Sequence, residues 1–554
     1  MCGIAGIHSL NPKYDQIKSV QGMLDRMTYR GPDQSGVGKF SSSILGMTRL
    51  SIIDLESHKI PYEDDNNRAA IVFNGEIYNH DSIRSNLKSK YTFKTSSDAE
   101  TILYNYLENG IQSFNELNGM YAFSLYDKAK DTTYVVRDKT GEKPIYYTLG
   151  SDFISFSSEI KCLFELVKPQ FNQEAISYKA YEFCVGRETL FKNIYQLEPG
   201  EFLKIKDGKS TIHTYWKVWD NLIDIKDDIK QIKNDLTELL EDSILLRTNN
   251  CAHKYGCLIS GGVDSAIVAC IAKPDFIYTC HYNLGPEFDE LTYAHSVAKH
   301  IKKELIIVEP GPKDFRRLQE KIIYHLDTPC TWTSFSLWML LERAQSDIKV
   351  IMTGDGADEI FAGYHRYHLL HHDEQIHKLE AMQQYSFLIN KYYGSPEERY
   401  AKLINRSENQ YDKAITEFLK ESIQYYFSQL KNDIVHGMGL NDFYSSMQVL
   451  LQMSDRMSMA FSIENRSPFL DYRLVQYAYS MPSKYKIKNG ITKWVLKEIA
   501  RKLIPKKIVD RIDKRGFSAP INHWFGWGKT GKYDRSIYRK MVLNDWQKVF
   551  GITA

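Results

Sequence analysis

The chain has 554 residues, 43% hydrophobic and 25% charged, the balance of an ordinary soluble globular protein; at about 150 residues per domain the length suggests three to four domains, or two large ones. Lys and Arg number 71 and Asp and Glu 69, a formal net charge of +2 that argues against a broad electrostatic grip on nucleic acid or an anionic membrane. No apolar run approaches the roughly 18 residues of a spanning helix, MCGIAGIHSL lacks the basic and apolar regions of a signal peptide, and eight cysteines without a CxxC pair fit reduced cytoplasmic thiols rather than a disulfide scaffold or a zinc ribbon.

The first 210 or so residues read as β-rich. Residues 69–73, 121–126 and 133–136 are apolar, β-branched or aromatic, and turn signals bound them: Asn74-Gly75, Asn118-Gly119 and Asp127 onward. Residues 197–200 (LEPG) mark a further turn, followed by a strand over 201–205. Residues 218–235 are a charged connector that enters a helix from about 232, with Leu236, Leu239, Leu240, Ile244 and Leu245 at helical spacing. A strand over 255–259, a glycine turn, a helix over 266–272, a strand over 276–281 and a third over 348–352 follow. Strands that alternate with helices and end in glycine loops predict a parallel sheet with ligands at the strand C-termini. Beyond about 370 the chain reads as mostly helical, and the boundary between the halves falls between about 206 and 235.

Cys2 follows Met1 and precedes Gly3. A small side chain at position 2 favours Met removal, which leaves Cys2 at the N-terminus. Its α-amino group, with a pKa of roughly 7.7–8, then supplies a general base on the same residue as the nucleophile. Taken singly, Cys2 reads as an exposed thiol, Arg49 as a surface arginine, Asn74-Gly75 as a type I′ turn and Asp98 as a helix N-cap. Their company changes that reading: MCGI at 1–4, RGPD at 30–33, RLSI at 49–52, FNGEIYN at 73–79 and SDAE at 97–100. In order and spacing this set resembles, over about 200 residues, the glutaminase domain of class II glutamine amidotransferases. The resemblance implies that Cys2 attacks the side-chain amide of glutamine, giving a thioester and ammonia. It implies that the Asn74 amide and the Gly75 N–H serve the oxyanion, and that Arg49 forks onto the α-carboxylate. Asp98 accepts from the α-ammonium, and Leu50, Ile53 and Glu76 belong to the same pocket.

Ser260-Gly261-Gly262-Val263-Asp264-Ser265 lies between a predicted strand and a predicted helix. It lacks the GK[ST] ending of a Walker A loop, yet backbone N–H groups at a helix start and two hydroxyls suit phosphate oxygens. The segment resembles the pyrophosphate loop of ATP pyrophosphatases, which cleave between the α- and β-phosphates. TGDGADE at 353–359, with FAGY at 361–364, resembles the SGDGxDExFxGY segment of asparagine synthetases. By that resemblance Asp264 and Asp358 are hard oxygen ligands for Mg²⁺, and Leu258, Ile259, Tyr282, Thr353 and Gly354 join the loop in binding ATP. Lys493 matches a lysine that stabilises charge as ammonia attacks an acyl-adenylate, and Asp355 helps to position that intermediate, although some members carry Glu there. Residues 454–459, 464–471 and 514–520 also match, the last a basic segment suited to pyrophosphate.

His365, His368, His371, His372 and His377 cluster, with His368 and His372 four apart, but no carboxylate or Cys completes a metal site. Cys251, Cys257, Cys270 and Cys280 surround the ATP loop without a zinc spacing and read as buried structural thiols.

The expected architecture is an α+β glutaminase domain of the N-terminal-nucleophile type with stacked antiparallel sheets, residues 2–212. An α/β parallel-sheet ATP pyrophosphatase domain with a helical C-terminal part follows, residues 230–530. The chain thus resembles the glutamine-hydrolysing asparagine synthetases. The resemblance implies ATP, aspartate and glutamine as substrates, Mg²⁺, a β-aspartyl-AMP intermediate, and a passage for ammonia between the sites. Action on a different carboxylate or sugar acid stays open, as does a homodimer; neither nucleic acid nor a membrane is an expected partner.

Overall fold

The computed structural model describes the chain except residues 10–13, 57–58, 286–289, 368–394, 410, 432, 512–518, 527–534 and 553–554. Its first half is built on twelve strands: β1 (Gly3–His8), β2 (Gln34–Lys39), β3 (Ser43–Arg49), β4 (Tyr62–Glu63), β5 (Ala69–Ile77), β6 (Gly119–Asp127), β7 (Thr132–Arg137), β8 (Tyr146–Leu149), β9 (Ile154–Ser157), β10 (Ile194–Gln196), β11 (Glu201–Lys206) and β12 (Lys209–Thr214). They form two antiparallel six-stranded sheets, ordered β10-β8-β9-β1-β3-β2 and β12-β11-β7-β6-β5-β4. The period-two alternation of strand side chains explains how they stack. On β1, Ile4 enters the core between the sheets with Leu45, Met47, Ile71 and Phe123. Ala5 and Ile7 point the other way, onto Val20, Met23 and Leu24 of the helix Tyr14–Asp25. The helix Asp98–Asn109 covers the second sheet through Ile102, Leu103 and Tyr106. These are the stacked antiparallel sheets expected from the sequence.

One expected feature is corrected. Asn74-Gly75 does not end a strand: β5 runs unbroken through both, paired with Ala122 and Tyr121 of β6. Gly75 is needed for close approach, since a Cβ there would lie 2.1 Å from the Met120 carbonyl oxygen.

The second half carries one parallel sheet, β15-β14-β13-β16-β17, from β13 (Tyr255–Leu258), β14 (Phe276–Cys280), β15 (Leu305–Val308), β16 (Val350–Met352) and β17 (Glu464–Arg466). Alternation again divides the faces. Cys257, Ile277 and Met352 pack with the helix Val263–Ala272; Leu258, Tyr278 and Ile351 pack with the helices Pro312–Leu326 and Trp332–Ala344. The chain leaves β13 towards β14 and β15 and returns on the other side as β16, so the loops after β13 and β16 meet where strand order reverses. That is where open parallel sheets bind ligands. β15 and β17 complete the sheet beyond the three strands read from the sequence. All eight cysteines are free thiols, and Cys251 and Cys270 are only half-buried rather than core residues. Among the described residues no helix is long and apolar enough to cross a membrane.

Candidate active site

β1 starts one residue after Cys2, so the extended backbone delivers the thiol to the sheet's end. The Cys2 N–H donates to Asn74 Oδ1 at 3.0 Å, and its carbonyl accepts from Arg30 Nε at 3.0 Å. Asn74 Nδ2 is buried with no hydrogen-bond partner among the described residues, a donor left over beside the thiol. Arg49 closes β3 and holds the following loop, donating to the carbonyls of Glu56, at 2.7 Å, and Asp54. Ser97 is the N-cap of the helix Asp98–Asn109 and Asp98 its first residue. Asp98 Oδ2 accepts from the Ile77 N–H at 2.9 Å, which fastens the helix to the end of β5. Cys2, Arg49, Leu50, Ile53, Gly75, Glu76 and Asp98 line one cavity of about 30 Å³, which Met1 and Glu464 also line.

This pocket disfavours charge on its own acids. Burial pushes the Cys2 thiol up, and the terminal ammonium, a backbone bond at Leu50 and Arg49 pull it only part of the way back. Burial raises Asp98 too; it lifts Glu76 well above the carboxylate range, with Asp98 adding to the effect and Arg466 opposing it. Glu464 behaves oppositely. Burial would raise it, but Arg466 and the Met1 ammonium outweigh that and bring it down to about 2. Its Oε2 lies 3.2 Å from the Met1 nitrogen and its Oε1 2.6 Å from Arg466 Nε, while Arg466 Nη2 lies 3.4 Å from Glu76.

Glu464 and Arg466 belong to β17, so the parallel sheet of the second half supplies one wall of the first pocket. Nothing local in the sequence places them there. A buried charge cluster makes a second connection: Arg30 pairs at 2.9 Å with both Glu159 and Asp455, and Arg456 reaches Glu159 at 2.9 Å and Asp327 at 3.4 Å. Lys161 lies against the same Glu159 and Asp327.

The second site forms where β13 and β16 end. Ser260 and Ser265 hydroxyls lie 3.2 Å apart across the glycine turn. Gly261 has φ +69°, and Arg511 Nη1 donates to its carbonyl at 3.0 Å. Arg511, bound also to Glu290 at 2.6 Å, is a residue that sequence reasoning missed; a lone arginine 250 positions from the loop carries no local signal. Gly354 packs against the loop, since a Cβ there would lie 2.8 Å from Asp264 Cβ. Thr353 and Ser454 hydroxyls both donate to Asp355 Oδ2 at 2.9 Å. Leu258 and Tyr282 share one core face and Ile259 lies in the other; the Ile259 N–H and carbonyl are bonded to Tyr278 and Thr279. Tyr282 is held by Ser336 at 2.5 Å.

Lys493 Nζ sits 2.8 Å from both Asp264 oxygens and 2.6 Å from Asp358 Oδ1. These carboxylates converge on one cation, which fits the hard donor set that Mg²⁺ prefers. Among the described residues no group of three or more His, Cys, Asp or Glu could hold a metal. Residues 514–518 of the basic segment, and His368, His371, His372 and His377, lie outside the described residues.

Comparison with known proteins likewise divides the chain into two regions. Residues 235–545 match the asparagine synthase family model and residues 1–216 the glutamine amidotransferase domain model. The chain is 29% identical to asparagine synthetase [glutamine-hydrolyzing] 1 of Bacillus subtilis, over 95% of this chain and 88% of that protein. It is 29% identical to asparagine synthetase B [glutamine-hydrolyzing] of Escherichia coli, over 70% of this chain and 69% of that protein. Since the first match alone spans more than half of its length, the chain belongs to the asparagine synthase family and carries a glutamine amidotransferase domain ahead of the synthetase region.

Proposed function

We propose that the protein makes asparagine from aspartate, with glutamine as nitrogen donor and ATP cleaved to AMP and pyrophosphate. Residues 2–212 release the ammonia and residues 230–530 activate the acid. The observation that carries this reading is the direct join between the sites: Glu464 lines the Cys2 pocket, and from the same strand the Arg466 carbonyl accepts the N–H of Thr353 in the second site at 3.1 Å.

With Met1 removed, the Cys2 α-amine takes the thiol proton and the thiolate attacks the glutamine amide carbon. Burial favours the neutral thiol, so the proton needs an acceptor at hand, and the α-amine is the nearest group suited to that task. Removal also clears Met1, one of the residues that line this cavity. Asn74 Nδ2 and the Gly75 N–H stabilise the oxyanion, the amide nitrogen leaves as ammonia, and water hydrolyses the thioester to glutamate. Arg49 and Asp98 hold the α-carboxylate and α-ammonium, and Leu50, Ile53 and Glu76 complete the pocket.

In the second site Ser260, Gly261, Gly262 and Ser265 cradle the phosphates, while Leu258, Ile259, Tyr282, Thr353 and Gly354 surround the rest of the nucleotide. Asp264 and Asp358 would hold Mg²⁺, which when bound draws negative charge from the phosphates. The aspartate β-carboxylate displaces pyrophosphate at the α-phosphorus, giving β-aspartyl-AMP; ammonia then displaces AMP. Asp355, fixed by Thr353 and Ser454, positions the intermediate, and Lys493 stabilises charge as ammonia attacks.

The test is to incubate the protein with MgATP, glutamine and aspartate and quantify AMP, pyrophosphate and asparagine against an aspartate-free control. Equal, aspartate-dependent amounts are expected. Glutamate release without aspartate-dependent AMP would overturn aspartate as the acceptor.

A further inference from the structure

Lys493 is 5% exposed, and its ammonium fills the space between Asp264 and Asp358. The surroundings hold it there. Its backbone lies at φ 52°, ψ 33°, directly before the helix Trp494–Ala500; that left-handed region is uncommon for residues with a side chain and persists where the environment enforces it. Gly363 closes over the group: a Cβ there would lie 1.9 Å from Asp358 Oδ1 and 2.1 Å from Lys493 Cε. The Gly363 N–H is itself fixed to the Asp358 carbonyl at 2.7 Å.

Lys493 offsets one of the two carboxylate charges; around the group Lys497 adds a positive charge that acts on Asp264 and Lys493, and Glu359 a carboxyl that acts on Asp358. A divalent cation on the same oxygens would meet the ammonium at ion-pair distance, and like charges so close in a buried site repel strongly. Nucleotide phosphates change that balance, because they bring their own negative charge with the metal. We infer that Lys493 is a placeholder for the divalent cation: without nucleotide its ammonium keeps metal off Asp264 and Asp358, and entry of the metal–nucleotide complex displaces it towards the reacting acyl group. This rests on the reading that the two aspartates are the metal ligands. It adds an order of events: the metal enters as the nucleotide complex, and Lys493 is freed only once that complex is seated.

The experiment uses Mn²⁺ as probe, with free Mn²⁺ followed by electron paramagnetic resonance. The full-length protein, Lys493→Met and the double variant Lys493→Met/Asp358→Asn are each titrated without nucleotide and with α,β-methylene-ATP. Circular dichroism melts check that each variant is folded. The expected result is that Lys493→Met binds Mn²⁺ at least tenfold more tightly than the parent without nucleotide, and that Asp358→Asn removes the gain. Equal affinity of parent and Lys493→Met without nucleotide, with Mn²⁺ still bound alongside the analogue, would overturn the placeholder and leave the metal reading intact. A gain that survives Asp358→Asn would also overturn it. Absence of Mn²⁺ binding from both proteins, with and without the analogue, would remove the metal reading and the placeholder with it.

Discussion

Around Cys2, burial pushes a thiol and the carboxyls of Glu76 and Asp98 towards their neutral forms. Around the loop after β13, two carboxylates keep company with a lysine ammonium at 2.6–2.8 Å. The contrast follows from what each site must handle. From glutamine the first releases ammonia, a product useful only while unprotonated. In the proposed function the second receives a polyanion, and its two acids already keep a cation, Lys493, between them. One chain keeps both environments although its halves are not insulated: a single buried apolar cluster joins Ala5 and Ile7 of β1 to Leu258 and Tyr278 of the parallel sheet, and buried ion pairs such as Arg30–Asp455 cross between the halves.

The sharpest way to break this division is Cys2→Ala. Glutamine-dependent asparagine formation should fall by at least about 10³-fold while synthesis from ammonium salts persists; loss of both would show that the sites are not separable. The converse is Asp264→Asn, for which aspartate-dependent pyrophosphate release should drop about 10²–10³-fold with glutamine hydrolysis retained. Undiminished pyrophosphate release would take Asp264 out of the phosphate site.

The charges that cross between the halves can be tested through stability. Glu159→Gln leaves Arg30, Lys161 and Arg456 short of a buried partner. Breaking such a buried pair costs about 3–5 kcal/mol, readable in a denaturant titration; a change near zero would mean that the cluster does not hold the halves together. The smallest effect concerns acid. With Met1 in place Glu464 is lowered in the fold to about 2 from an ordinary 4.5, with Arg466 the larger cause and one that Met1 removal leaves intact. Its contribution to stability is therefore present above about pH 4.5 and lost as pH falls towards 2. Glu464→Gln should flatten the melting temperature against pH across that window, and identical slopes in the two proteins would place Glu464 outside any ion pair.

What the sequence made legible was chemistry carried by contiguous residues. Residues 260–265 stand out because glycines, hydroxyls and a carboxylate lie together, and the structure sets them between β13 and the helix Val263–Ala272 as expected; apolar runs such as 69–73 announce strands. β17 was not legible: Glu464-Asn465-Arg466 has no strand propensity, and only its pairing with Val350–Met352 makes it one. Asn74-Gly75 misled for the opposite reason, a strong turn signal overruled by pairing with β6. Arg30, Glu159 and Asp455 gave no sign of burial either, since a charged residue reads as surface until its partner, 129 or 425 positions away, is known.

The placement of β17 bears on how such a protein can be recombined. A chimera cut between residues 216 and 235, where the two family matches part, looks as though it exchanges complete modules. It would in fact install a foreign counterpart of the Cys2 pocket against Glu464 and Arg466, and a foreign Arg30 counterpart against Asp455. Functional inheritance in this chain is therefore not split where the sequence matches are. A productive exchange has to carry these far-downstream positions along with the first half.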